Sequence, residues 1–172
     1  INIYSGEDWI TPNTGTWRHD PARCPGGFFA DANGHQLDVI FWMTGLEAAT
    51  VRATIEKRGT PVPMFVFGEA RLQSQKTKQL EGEEPTTLTF TFVGDKRLWQ
   101  EEIHIQTEKA DFVLRNTELL WSDGTQPLTP VPDSLLDTPE AYDTPDTGFI
   151  KALRGDAPIL SPPESVAPVL NF

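Results

Sequence analysis

At 172 residues, with 38% hydrophobic side chains and five tryptophans, the chain is long enough to bury one core of ordinary size. A formal net charge of −11 argues against nucleic acid and anionic membrane surfaces as partners, since both require a cationic face. The lone cysteine, Cys24, excludes an internal disulfide and agrees with a reducing, cytoplasmic compartment, and the longest apolar run, Val39 to Met43, is far too short to cross a bilayer.

Ile1, Ile3 and Tyr4 read as an opening strand, followed by a long irregular loop rich in Gly, Pro, Thr and Asn that runs to Gly27. A helix is predicted from about Ala32 to Thr44, with Leu37, Ile40, Phe41 and Thr44 as its buried stripe and Gly45 as the residue that stops it. Thr50 to Arg58 alternates, with Val51, Ala53 and Ile55 on one side of a half-buried strand. Pro63 to Phe67 is a short apolar strand, and the polar stretch from Glu69 to Gln79 is a strand end or a loop. Leu88, Phe90 and Phe92 alternate with Thr87, Thr89 and Thr91 in the clearest strand of the chain. Leu98 to Thr107 alternates around Ile103 and Ile105, and Phe112 to Trp121 divides into two short strands about Asn116-Thr117.

Nine of the fifteen prolines fall between Pro127 and Pro168, so this tail is extended and interrupted by two short helices. Thr144-Pro145 starts the first, Phe149, Ile150 and Leu153 form its buried stripe, and Gly155 ends it. Ser161-Pro162-Pro163-Glu164 is a capping-box start for the second, with Val166, Val169 and Leu170 available to pack. One helix before a run of strands and two after it describe an α+β fold: a single domain whose mostly antiparallel or mixed sheet carries helices on one face.

The stretch from Gly26 to His35, closed by Asp38, carries the chemistry. On a helix Asp31 and His35 share one face, a turn apart. A carboxylate beside an imidazole orients the ring and favours its protonated form, which suits removal of a proton from an alcohol. Asp31, His35, Asp38 and nearby His19 are ligand types for a divalent ion, yet no recognised spacing such as His-Glu-x-x-His occurs, and no metal is expected. No Gly-x-Ser-x-Gly elbow supports a serine hydrolase. His19 and Asp20 read as solvated, and His104 as exposed or structural between Ile103 and Ile105.

With Trp17-Arg18-His19-Asp20-Pro21 ahead of it, this block resembles the start of the C-terminal domain of the Gfo/Idh/MocA oxidoreductases, the glucose-fructose oxidoreductase and inositol dehydrogenase-like enzymes. The family pattern is Trp-Arg, a glycine triplet, Asp-x-Gly-x-His-x-x-Asp and an apolar helix ending in Gly. Here it reads Trp17-Arg18, Gly26-Gly27, Asp31-Ala32-Asn33-Gly34-His35-Gln36-Leu37-Asp38, Trp42 and Gly45. A less specific likeness continues through Glu102 to Leu114, then Phe149 to Pro158 and Ser161 to Ser165. Three features depart from the pattern. Pro25 takes the place of the first glycine, Asn33 stands where a glycine is usual with Gly34 displaced by one, and neither Gly-x-Gly-x-x-Gly nor Glu-Lys-Pro is present.

The resemblance implies that residues 1–172 form the substrate-binding and oligomerisation domain of a larger NAD(P)-dependent dehydrogenase of sugars, inositols or related polyols. Its N-terminal Rossmann domain and catalytic lysine would lie outside this chain. NAD or NADP is therefore expected in the parent protein, with none bound to this fragment, which would be inactive alone. His35 is the implied general base toward the substrate hydroxyl, with Asp31 orienting it or binding a neighbouring hydroxyl. Trp17, Arg18 and Asp38 are the implied substrate contacts, since Arg clamps oxygens and Trp stacks on sugar faces. The blander alternatives are a helix-end carboxylate for Asp31, a structural role for Asp38, and a loop anchor for Trp17 and Arg18. Subunit contacts through the open sheet face are usual in the family, which implies a homo-oligomer. The rival reading is a non-catalytic α+β module that binds a partner or builds an assembly, keeping the motif only for folding.

Overall fold

Alternating phenylalanine and threonine give the strand Thr86–Val93 one apolar face, and in the computed structural model that face lies at the centre of the core. The structure describes residues 1–74, 86–136, 144–159 and 162–172. Eight strands form one mixed sheet. They are β1 (Asn2–Asp8), β2 (Leu46–Glu56), β3 (Phe65–Ser74), β4 (Thr86–Val93), β5 (Asp95–Gln106), β6 (Asp111–Arg115), β7 (Glu118–Ser122) and β8 (Thr129–Pro130). Their spatial order is β2-β3-β4-β1-β5-β6-β7-β8. All adjacent pairs are antiparallel except β1 and β4, where Asn2 to Gly6 run parallel to Thr89 to Val93.

Helices α1 (Ile10–Asn13), α2 (Gly27–Ala32) and α3 (Gly34–Thr44) follow β1, and α4 (Pro145–Arg154) and α5 (Ala167–Leu170) close the chain. Phe28 of α2 and Leu37, Ile40 and Phe41 of α3 meet Val66, Ala70, Leu72, Leu88, Phe90 and Phe92 from the sheet. The ring of Phe172 adds to this layer, with centroids 5.3 Å from Phe90 and 5.8 Å from Phe41. Gly45 takes a left-handed φ of 65° and gives its N–H to Phe41, so α3 stops where its glycine predicts. Thr44 is half-buried, and its hydroxyl donates back to the Ile40 carbonyl.

The expected α+β sheet with helices on one face is what the chain forms, and several elements differ in detail. The helix expected from about Ala32 is two helices broken at Asn33. The opening strand continues to Asp8, and the polar run after Phe67 stays in β3 as far as Ser74; residues 75–79 lie outside the described set. Val51, Ala53 and Ile55 do share one side of β2, but they are exposed, because β2 is an edge strand whose second half nothing described covers. Its register shifts by a bulge between Ala48 and Thr50. In the tail, Thr144 accepts the Thr147 N–H and Gly155 is left-handed, as their types predict. The α4 stripe, expected to be buried, is not: Phe149 is 64% and Leu153 71% exposed, since this helix adds nothing to the core cluster. The capping-box serine, Ser161, falls outside the described residues, while Pro163–Val166 form a 3-10 turn leading into α5.

Gly27 is where the chain needs the absence of a side chain. Its φ is +53°, and a Cβ there would lie 2.2 Å from the Pro63 carbonyl oxygen, which accepts the next N–H, that of Phe28, at 3.0 Å. Gly27→Ala should therefore destabilise the fold by about 3 kcal/mol or more in urea unfolding, combining left-handed strain with a backbone collision. By contrast, Leu153→Ser on the exposed α4 face should change the stability of this chain by less than ~0.5 kcal/mol in the same assay.

Candidate active site

Alternation along β1 turns Ile3, Ser5 and Glu7 toward the helices, and the chain then places Trp9 where β1 leaves the sheet. Trp9 is 4% exposed, its N–H bonds the Gly94 carbonyl at 3.1 Å, and its ring meets Phe28 edge-on at 6.2 Å. A buried indole N–H needs an acceptor, and here it donates to Asp31 Oδ2 at 3.1 Å. Arg18 Nε donates to the same oxygen at 2.7 Å, with its guanidinium 4.5 Å over the Trp17 ring. Thr16 starts the 3-10 turn Trp17–His19 by accepting the Arg18 N–H, and this turn aims Arg18 at α2. Asp31 Oδ1 has no hydrogen-bond partner among the described residues.

Asn33 shapes the other half of the site. It is fully buried, its φ of −100° is ordinary, and its side-chain amide donates to the Phe28 carbonyl at 3.0 Å. That bond ends α2 and lets the chain restart as α3, so the departure from glycine supplies a helix break rather than a left-handed turn. Asp31 consequently lies in the last turn of one helix and His35 in the first turn of the next, and the carboxylate and imidazole are not hydrogen-bonded. His35 is exposed, and Asp38, one turn on, is half-buried. Gln36 ties this end of α3 to the sheet through a 2.9 Å bond to Glu101.

Of the residues singled out from sequence, Asp31 and Arg18 come together directly, with Trp17 beneath Arg18, while His35 and Asp38 stand apart on α3. His19, read as solvated, is half-buried: its ring lies tilted against Trp9 with centroids 5.3 Å apart, and its Nε2 is covered with no hydrogen-bond partner among the described residues. His104 lies on the open sheet face, 2.7 Å from Glu102, whose other oxygen takes Arg115. Arg115 and then His104 hold the Glu102 carboxyl below its usual range. Burial and the Asp31 charge push the Cys24 thiol up, which keeps it protonated and unreactive. Among the described residues no three His, Cys, Asp or Glu side chains converge as metal ligands do. Sequence reasoning missed Glu7 and Trp9; carrying the alternation of Ile3 past Tyr4 would have put both on the helix side.

The sheet order, the parallel insertion of the first strand and the one-sided helical cover match the C-terminal domain fold of the Gfo/Idh/MocA oxidoreductases. The GFO/IDH/MocA C-terminal domain model matches residues 1–101, and the chain belongs to that family. Its fold is similar to that of UDP-N-acetylglucosamine 3-dehydrogenase from Acidithiobacillus ferrooxidans (TM-score 0.72, 14% identity, 99% of this chain and 49% of that one). It is also similar to an aldose-aldose oxidoreductase from Caulobacter crescentus complexed with glycerol (TM-score 0.67, 14% identity, 99% and 50% covered). A levoglucosan dehydrogenase in complex with NADH and L-sorbose shares the fold too (TM-score 0.67, 15% identity, 99% and 54% covered). The chain thus spans about half the length of these proteins. No curated protein sequence matches it. Among the described residues no helix is long and apolar enough to cross a membrane.

Glu7 feels the charge of Asp31 and has no basic partner among the described residues. Burial, then Asp31, then Asp8 push its carboxyl up from an ordinary value near 4.5. The native state therefore holds this proton more tightly than the unfolded chain. The resulting loss of stability is absent below that ordinary value and grows as pH rises through and above it. Glu7→Gln should raise the Tm at about pH 7 and leave it unchanged near pH 3, as read by calorimetry across the two conditions.

Proposed function

We propose that this chain is the substrate-binding and oligomerisation domain of an NAD(P)-dependent oxidoreductase acting on a sugar, inositol or related polyol. The observation carrying this reading is that Asp31 is fixed through one oxygen only, while the following helix carries an exposed imidazole, His35, in its first turn. The described residues do not fit a dinucleotide: Glu7, Asp8 and Asp31 crowd this end of the sheet, and no glycine-rich turn joins a strand to a helix here. NAD or NADP therefore belongs to a nucleotide-binding domain beyond these residues, in keeping with the half-length coverage of the similar structures.

What this chain supplies is the proton side of the reaction. His35, open to solvent, accepts the proton of the reacting hydroxyl, and Asp31 Oδ1 accepts a hydrogen bond from a neighbouring hydroxyl. Arg18 is committed to Asp31 through Nε, which leaves its two Nη groups for a substrate oxygen, and Trp17 offers a ring face beside it. Asp38 lines the same end of α3. Tyr4, Phe65 and Phe67, set among Thr87, Thr89 and Thr91 on the uncovered sheet face, suit contact with a second copy of the chain.

The test is His35→Ala in the intact protein, assayed with NAD or NADP and a panel of neutral polyols. Turnover should fall by about 100- to 10,000-fold with the circular dichroism spectrum and Tm retained. The isolated 172-residue chain should turn over no NAD(P)H. Unchanged turnover in the variant would leave a binding or assembly module instead.

A further inference from the structure

We propose that Trp9 is a positioning residue for Asp31: its indole N–H, together with Arg18, holds Oδ2 so that Oδ1 is the oxygen presented to a substrate hydroxyl. The inference rests on the reading of Asp31 as a site carboxylate given above. Asp31 lies in the last turn of a six-residue helix, and a carboxylate there is free to rotate unless something fixes it. Two donors converge on one of its oxygens, at 3.1 Å and 2.7 Å, and none reaches the other among the described residues. A carboxylate held in this way has one defined acceptor left.

The two donors are not equivalent. Arg18 comes from a surface turn and its side chain is 38% exposed, so it contributes charge on a movable arm. Trp9 is built into the frame of the molecule. Its N–H bonds Gly94 at the β4–β5 junction, its carbonyl accepts the Asn13 amide at 2.8 Å, and its ring is packed between Phe28 and His19. The direction of Asp31 relative to the sheet is therefore set by Trp9, while Arg18 supplies the countercharge. Catalysis depends on such fixed geometry, because a carboxylate that must reorient loses the advantage of being in place.

The experiment replaces Trp9 in the intact enzyme with 3-benzothienylalanine, which keeps the bicyclic shape and lacks the N–H. Trp9→Phe serves as a second, simpler variant. The expected result for the isostere is a fall in kcat of roughly 10- to 100-fold, the scale of one hydrogen bond to a charged group, with KM changed less than about twofold and the Tm retained. In an Asp31→Ala background the same replacement should produce no further loss, a coupling that a merely structural tryptophan would not show. A wild-type kcat in the isostere variant would overturn the proposal, as would an equal loss with and without Asp31. If Asp31→Ala itself leaves turnover intact, the reading of the site falls and takes the proposal with it. A normal isostere alongside an impaired Asp31→Ala sinks the proposal alone.

Discussion

Because β1 pairs with β4 on one side and β5 on the other, both of its edges are spent on hydrogen bonds and its direction is fixed by its neighbours. Whatever follows Asp8 is launched from the middle of the sheet rather than from a mobile border. Trp9 continues this anchoring through its bond to Gly94, the residue that joins the two flanking strands. The helices then have one face to cover, and the Gly27–Pro63 approach lets α2 lie close enough for Asp31 to reach the indole. The hydrogen bonding of Asp31 is thus a consequence of where an inserted parallel strand ends.

The same arrangement explains the acidic character of this corner. Glu7 and Asp31 approach from different elements, strand and helix, and among the described residues Arg18 alone is ion-paired with this cluster, through Asp31. One guanidinium beside more than one carboxylate leaves hydrogen-bond acceptors in excess at this corner.

Much of the fold was legible because side-chain alternation is a local property. Leu88, Phe90 and Phe92 face the core as their spacing predicts, and the Asn116-Thr117 turn separates β6 from β7. Caps were equally readable at Thr144, Gly45 and Gly155, where a residue type meets a local backbone demand. Burial was less so. The apolar spacing of Phe149, Ile150 and Leu153 marks a helix face but cannot say what covers it, and Val51 and Ile55 lie on the correct side of a strand that the helices do not reach. Of the candidate site, the sequence names residue types, and the contact that joins Arg18 to Asp31 is a matter of the fold. The break at Asn33 depends on one amide reaching back to Phe28, which no periodicity encodes, and the Trp9–Asp31 bond joins residues 22 positions apart.

The two borders of the sheet close it against growth. At one end β8 is a two-residue strand that includes Pro130, which has no N–H to offer another strand. At the other, β2 is long, but it is bent by the bulge at Ala48–Thr50 and carries Arg52 and Glu56 along its exposed half. Neither border is a flat template on which a foreign strand could add in register. Sideways polymerisation of the amyloid kind is therefore disfavoured by the shape of the sheet itself.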